Sequence, residues 1–123
     1  MIHLGNKKVL IVEDDDMNFL YLKQIFKIVG GVIERVKTGQ SAIDKSKDND
    51  YDLIMMDIKL PDINGIEATQ TIRTFNPTVI IIAQTAAKTP DEVEEAMNAG
   101  CNSVLLKPFK LEDLTNVLRD LAF

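Results

Sequence analysis

Four short stretches of this 123-residue chain carry side chains able to do chemistry: the acidic run Glu13-Asp14-Asp15-Asp16, the lone Asp57, the hydroxyl of Thr85 and the ammonium of Lys107. Glu13, Asp14 and Asp57 are three formal negative charges, and carboxylates crowded at one rim do not all stay ionised unless a cation joins them. A hard divalent ion suits such a cluster. Mg²⁺ takes oxygen ligands in octahedral geometry and keeps several waters, so two carboxylates, one backbone carbonyl and waters make a reasonable shell. With Mg²⁺ and Lys107 counted in, the formal charges balance, which leaves the rim ready for a further anion. A phosphoryl group would meet a metal ion, an ammonium and a hydroxyl, the groups that neutralise charge during in-line transfer. The nucleophile would then be a carboxylate, and the product an acyl phosphate. Each stretch alone is ordinary, because acidic runs are usually solvated loops and Thr or Lys-Pro after a strand is usually a turn. Everything rests on whether the fold brings them together.

The elements that must do so are legible as one alternation repeated five times. Val9 to Val12, Val32 to Val36, Leu53 to Met56, Val79 to Ala83 and Val104 to Leu106 are short aliphatic runs separated by segments of helical spacing. The first, third and fourth runs are almost wholly apolar, as strands covered on both faces must be, whereas the second carries Glu34 and Arg35 and reads as an edge. The expected fold is α/β, a doubly wound five-stranded parallel sheet. Phe19, Leu22, Ile25, Phe26 and Val29 share one face of a first helix that Gly30-Gly31 ends; a short second helix runs from about Gly39 to Ser46. Asn64 with Glu67 opens a third helix, Thr89-Pro90-Asp91-Glu92 a fourth, and Leu111, Leu114, Leu118 and Leu121 mark the last. In such sheets ligands bind beyond the carboxyl ends of the strands. The acidic run, Asp57, Thr85 and Lys107 all fall at those ends.

Composition narrows the function classes. With 46% hydrophobic and 27% charged residues the chain can bury a core as one compact domain, which excludes general disorder. No apolar run approaches the roughly 20 residues needed to cross a bilayer, and Met1 to Gly5 lacks a signal-peptide pattern, so a soluble, cytoplasmic protein without membrane contact is expected. One cysteine, Cys101, and one distant histidine, His3, exclude a disulfide framework and a structural zinc site. A net charge of −5 repels phosphate backbones, so direct nucleic-acid binding is not expected and protein partners or a cation are. Asp15 and Asp16 are read as solvated residues or helix caps, Asn18 as a polar helix residue, Cys101 as a small semi-buried residue, Met55 and Met56 as strand core, and His3 as part of a frayed terminus.

Taken in order, Val12-Glu13-Asp14, Asp57-Ile58-Lys59-Leu60-Pro61 with Gly65, Thr85-Ala86 and Lys107-Pro108-Phe109 resemble the receiver domain of two-component response regulators, over about Lys7 to Phe123. The resemblance implies strand order 2-1-3-4-5 in a flavodoxin-like (βα)5 fold, with residues 1–6 as an N-terminal extension and 7–123 as the receiver domain. It makes Asp57 the phosphoacceptor and Glu13 and Asp14 the acid pair. Glu13, Asp14, Asp57 and the backbone carbonyl of Lys59 would hold Mg²⁺. Thr85 becomes the switch hydroxyl, Lys107 the phosphoryl contact, Lys107-Pro108 a cis peptide, and small Ala86 leaves room for the donor. The chain departs from the family where Val104 stands at a position commonly Tyr or Phe. Valine is stiff and short, so the usual aromatic rotamer switch is not available, and activation is expected mainly in the loop after strand 4 and the start of the fourth helix.

The stretch Asp57 to Ala68, together with Val-Glu-Asp and Asn18, looks most like receivers fused to hybrid sensor histidine kinases, and an excised piece of such a protein is the favoured reading over a stand-alone regulator. The implied partner is a histidine kinase or histidine phosphotransfer domain, with at most weak homodimerisation, and the domain is a phosphoacceptor rather than a turnover enzyme. A flavin-binding module is disfavoured, since Glu13 to Asp16 would repel the cofactor phosphate. An aspartyl phosphatase would show Asp-x-Asp after its first strand, whereas Asp57 is followed two residues on by Lys59. A degenerate receiver acting only as an interaction module would have lost the acceptor or the lysine, and both are present.

Overall fold

Aliphatic runs too short to cover themselves form the centre of the molecule. The computed structural model describes residues 2–86 and 89–123, and in it the five runs are strands β1 (Lys8–Val12), β2 (Val32–Val36), β3 (Leu53–Asp57), β4 (Ile80–Thr85) and β5 (Ser103–Leu106). They pair in parallel in the order β2-β1-β3-β4-β5, as the resemblance implied, with β2 and β5 as the edges. Between them lie α1 (Asp16–Val29), α2 (Gly39–Asp48), α3 (Gly65–Arg73) and α4 (Pro90–Ala99), and α5 (Leu111–Asp120) closes the chain.

Because successive strand side chains point to opposite faces, each strand feeds two cores. Leu10, Val12, Ile54, Met56, Ile81, Ala83 and Val104 form one with Ala42, Ile43, Ala68, Ile72 and Ala96 of α2, α3 and α4. Val9, Ile11, Leu53, Met55, Ile82 and Leu105 form the other with Leu22, Ile25, Phe26 and Val29 of α1 and Leu114 and Leu118 of α5. Met55 and Met56 are fully buried on opposite faces, and Cys101 is buried at the foot of β5.

The helix starts follow their signals. Asp15 Oδ1 accepts the N–H of Met17, Thr38 Oγ1 that of Ser41, Asn64 Oδ1 that of Glu67 and Thr89 Oγ1 that of Glu92, so each side chain satisfies an amide the first turn leaves open. Gly30 and Gly31 turn the chain out of α1 with φ of 87° and 103°, a region side chains avoid.

The bounds of β4 and α2 and the course of the amino terminus depart from the sequence reading. β4 starts one residue later than Val79 and runs through Thr85, because its pairing with β5 continues to Gln84↔Leu105 and Thr85↔Leu106; Thr85 is thus the last residue of a strand rather than the first of a loop. α2 extends beyond Ser46 to Asp48. Part of the loop expected to respond, residues 87 and 88, lies outside the described residues. The terminus expected to fray is tied down at Leu4, which is 3% exposed and donates its N–H to the Val29 carbonyl at 2.6 Å; an apolar side chain over the end of α1 does better buried than in water. His3 itself is exposed.

Candidate functional site

The carboxyl ends of β1, β3, β4 and β5 bring Glu13, Asp57, Thr85 and Lys107 around one cavity of about 330 Å³, with Asp14, Lys59, Ala86 and Glu92 at its walls. Topology places them: β1 and β3 are neighbours, so the residue after β1 and the last residue of β3 face each other, and β4 and β5 add theirs alongside. Lys107 Nζ lies 2.9 Å from Glu13 Oε1 and 3.1 Å from Asp57 Oδ2. The peptide Lys107-Pro108 is cis, as the resemblance implied.

Glu13 is fully buried and Asp57 is 4% exposed, so two carboxylates share one ammonium away from bulk water. Burial, and then the neighbouring Glu13, push the Asp57 carboxyl up to about 7, against the opposing pull of Lys107. Burial also disfavours charge on Glu13, but its hydrogen bonds with Asp57, Lys107 and Asn18 hold it below the ordinary glutamate value. Burial works against the charge on Lys107 as well, and the two acids outweigh it and raise its pKa. The pair therefore holds one proton more readily than two separate carboxylates would. Carboxylate oxygens of Glu13, Asp14 and Asp57 all lie within 4.8 Å of one another, an oxygen-only donor set that could hold a hard metal ion.

The loop after Asp57 is fixed from several sides. Lys59 donates its N–H to Asp57 Oδ1 at 3.2 Å, and Gly65 returns its N–H to the Ile58 carbonyl at 2.8 Å. At Gly65 a Cβ would lie 2.1 Å from the Asp57 carbonyl oxygen, so only glycine lets α3 start this close to the end of β3. Asp62 takes the N–H groups of Gly39 and Gln40, both at 2.8 Å, which ties the same loop to the start of α2.

Three side chains were not read from sequence as parts of the site. Asn18, taken as an ordinary helix residue, donates its amide to Glu13 Oε1. Its place five residues after Glu13, in the first turn of α1, was the available signal. Arg35, read only as an edge residue, donates Nε–H to the Glu13 carbonyl at 3.0 Å, pairs with Asp16 at 2.9 Å and lies over the Phe19 ring. Glu92, read as the acid of a helix-start pattern, instead accepts the Thr85 hydroxyl. Asp16 stays outside the site in an exposed ion pair, but Asp15, read from sequence as lying outside it too, caps α1 and also lines the cavity, its N–H donated to Glu13 Oε2 at 3.3 Å. Gln84, paired in register with Asp57, is fully buried with an amide that has no hydrogen-bond partner among the described residues; nothing in the structure explains it.

Residues 9–119 match the family described as the response regulator receiver domain. The autoinducer 2 sensor kinase/phosphatase LuxQ of Vibrio vulnificus is 39% identical over 112 residues, covering 90% of this chain and 13% of LuxQ. The aerobic respiration control sensor protein ArcB of Escherichia coli is 31% identical over 114 residues, covering 90% of this chain and 14% of ArcB. The chain thus spans a small part of these relatives. Among solved structures, the receiver domain of the sensor histidine kinase PA1611 of Pseudomonas aeruginosa, crystallised with a magnesium ion in its active site cleft, matches with a TM-score of 0.87 and 31% identity over 97% of this chain and 100% of that one. The yeast co-crystal of the histidine phosphotransfer protein Ypd1 with the receiver domain of Ssk1 matches with a TM-score of 0.84 and 32% identity, over 93% of this chain and 88% of the other. The sheet order, the rim of acids around one lysine and the match across nearly the whole length lead to one statement: the chain belongs to the response regulator receiver domains.

Proposed function

We propose that the domain accepts a phosphoryl group on Asp57 from a phosphohistidine donor and passes the signal on through altered partner contacts. The observation that carries this reading is the position of Asp57: buried at the cavity floor, ion-paired with Lys107 and crowded by Glu13. An Asp57 carboxylate oxygen would form the bond to phosphorus as the donor's P–N bond breaks, and the imidazole leaves with the bonding pair and takes a proton from solvent. Lys107, already between both acids, is placed to stay with the transferred oxygens, and the Thr85 hydroxyl supplies a further donor. The groups that would hold Mg²⁺ are the Glu13, Asp14 and Asp57 carboxylates with the Lys59 carbonyl; bound there, the ion supplies positive charge to offset that of acceptor and donor. The domain is modified once per event, so it is a phosphoacceptor rather than a turnover enzyme.

The partner is a histidine kinase or histidine phosphotransfer domain. Supporting this, the first turns of α1 beside the cavity expose Met17 at 74%, Leu20 at 50% and Tyr21 at 40%, an apolar strip that suits docking of another protein and not of a nucleic acid. The likeness to LuxQ and ArcB favours a place within a hybrid sensor kinase, with residues 7–123 as its receiver unit on the cytoplasmic side. No helix among the described residues is long and apolar enough to cross a membrane. Incubation with acetyl phosphate and Mg²⁺ followed by intact mass measurement should show one added phosphate, lost in Asp57→Ala and with excess chelator. An undiminished adduct in Asp57→Ala would overturn the assignment.

A further inference from the structure

We propose that Glu92 is a latch on the Thr85 hydroxyl: its carboxylate competes with the phosphoryl group for the single hydroxyl proton, so that phosphorylation and release of the first turn of α4 are one event. The proposal rests on Asp57 as acceptor and goes beyond it by naming the group the phosphoryl must displace.

Thr85 Oγ1 donates to Glu92 Oε1, and both residues line the cavity that holds Asp57 and Lys107. A threonine hydroxyl has one proton to give, so it cannot serve Glu92 and a phosphoryl oxygen together. The main chain of Thr85 has little freedom to compromise. It is paired with Leu106, and its carbonyl takes the Lys107 N–H at 2.7 Å, which leaves rotation about the side-chain torsion as the way to choose between partners. Glu92 is held from its own side. It is the third residue of α4, and its N–H is bonded to Thr89 Oγ1 at 3.2 Å. In the usual helix-start pattern this glutamate would fold back onto the cap residue's N–H, whereas here its carboxylate goes to Thr85.

Charge acts in the same direction. A phosphoryl group on Asp57 adds roughly one to two further negative charges to a cavity that Glu92 already lines, so the modification both takes the hydroxyl and repels the carboxylate that held it. With Val104 buried, paired with Ala83 and too short to swing, the released Glu92 carries the change outward to α4. Coupling of this kind is reciprocal: what the latch contributes to the unmodified state it takes from the modified one.

Beryllofluoride with Mg²⁺, a stand-in for the phosphoryl group, gives the test by calorimetry. Removing the latch in Glu92→Ala should tighten beryllofluoride binding about tenfold. Glu92→Gln, whose amide oxygen can still accept the hydroxyl, should tighten it less. In the Thr85→Ala background the Glu92→Ala gain should shrink to a small residue of charge relief. Amide resonances of Thr89 and residues 91–93 in free Glu92→Ala should move towards their positions in the beryllofluoride complex of the wild type. An equal gain with and without the Thr85 hydroxyl would reduce Glu92 to a through-space charge and overturn the latch, as would unchanged affinity in both Glu92 variants. Binding retained in Asp57→Ala, or none in the wild type, would instead remove the acceptor reading on which the latch stands.

Discussion

The two ends of the sheet treat their polar groups in opposite ways. At the amino ends of the strands, demands and partners match: Arg73 at the end of α3 donates to the Gly100 and Asn76 carbonyls and to Asn102 Oδ1 at 2.9 to 3.1 Å, Asn102 Oδ1 also takes the Ile81 N–H, and the Lys8 N–H meets Asp52. At the carboxyl ends, two buried acids lean on one lysine, and Asp57 holds its proton up to about pH 7. One end is built to stay as it is; the other keeps an unbalanced charge that a cation or a new covalent group can change. The same sheet thus keeps its stability and its reactivity at opposite ends of the strands.

The comparison breaks most visibly at Arg73. Arg73→Ala strips partners from two carbonyls and an amide where α3, β4 and β5 meet, and should lower unfolding free energy by about 2–4 kcal/mol in urea titrations, equally with and without Mg²⁺. Loss of that magnitude only in Mg²⁺-free buffer would mean the two ends are not separable. Asp57→Asn should do the reverse. Because Asp57 binds its proton more tightly folded than unfolded, the metal-free domain loses stability as pH rises from the ordinary 3.8 towards 7, and the cost is complete above that. The asparagine variant should therefore gain about 1–3 kcal/mol over wild type at pH 8 without metal and nothing near pH 4. Glu13, with its pKa lowered, contributes stability above the ordinary glutamate value that is lost as pH falls below it, so wild-type melts without metal should peak in mildly acidic buffer.

A smaller effect comes from the ion. Mg²⁺ at tenfold its dissociation constant should stabilise by about 1.4 kcal/mol, a melting rise of roughly 4–7 °C, and Asp14→Asn should blunt that rise; a full response in the variant would remove Asp14 from the ligand set. Smallest of all, Asp16→Ala breaks ion pairs to Arg35 and Lys37 on a carboxylate that is 71% exposed, and the chemical denaturation midpoint should not move measurably.

What was legible in the sequence follows from what is local. The strands announced themselves because a doubly covered parallel strand needs an unbroken aliphatic run, and the helix starts because capping lies within three residues. Asp57, Glu13, Asp14 and Lys107 could be grouped since strand ends meet at one rim whatever the loop details. Contacts that depend on side-chain reach across elements were not legible: Asn18 turning to Glu13, Arg35 crossing from an edge strand to the Glu13 carbonyl, and Glu92 leaving its cap for Thr85. Glu92 is the instructive case. Its local pattern was read correctly as a helix start, yet the side chain serves a residue seven positions earlier that the strand pairing places beside it. The frayed terminus was misread for a similar reason, since it looks free until α1 is seen to end beneath Leu4.

Lys107 is delivered by the last strand, whereas the acids it neutralises come from the first and third. A ribosome adds about 5–20 residues per second, so there is an interval in which Glu13, Asp14 and Asp57 have been made and their counter-charge has not. During that interval the nascent chain carries three carboxylates of the site without the ammonium that offsets two of them in the finished domain. The same order of delivery suits the protein to being cut between β4 and β5. The two pieces would hold opposite charges of one site, and the pairing of Lys107 with Glu13 and Asp57 would favour their reunion.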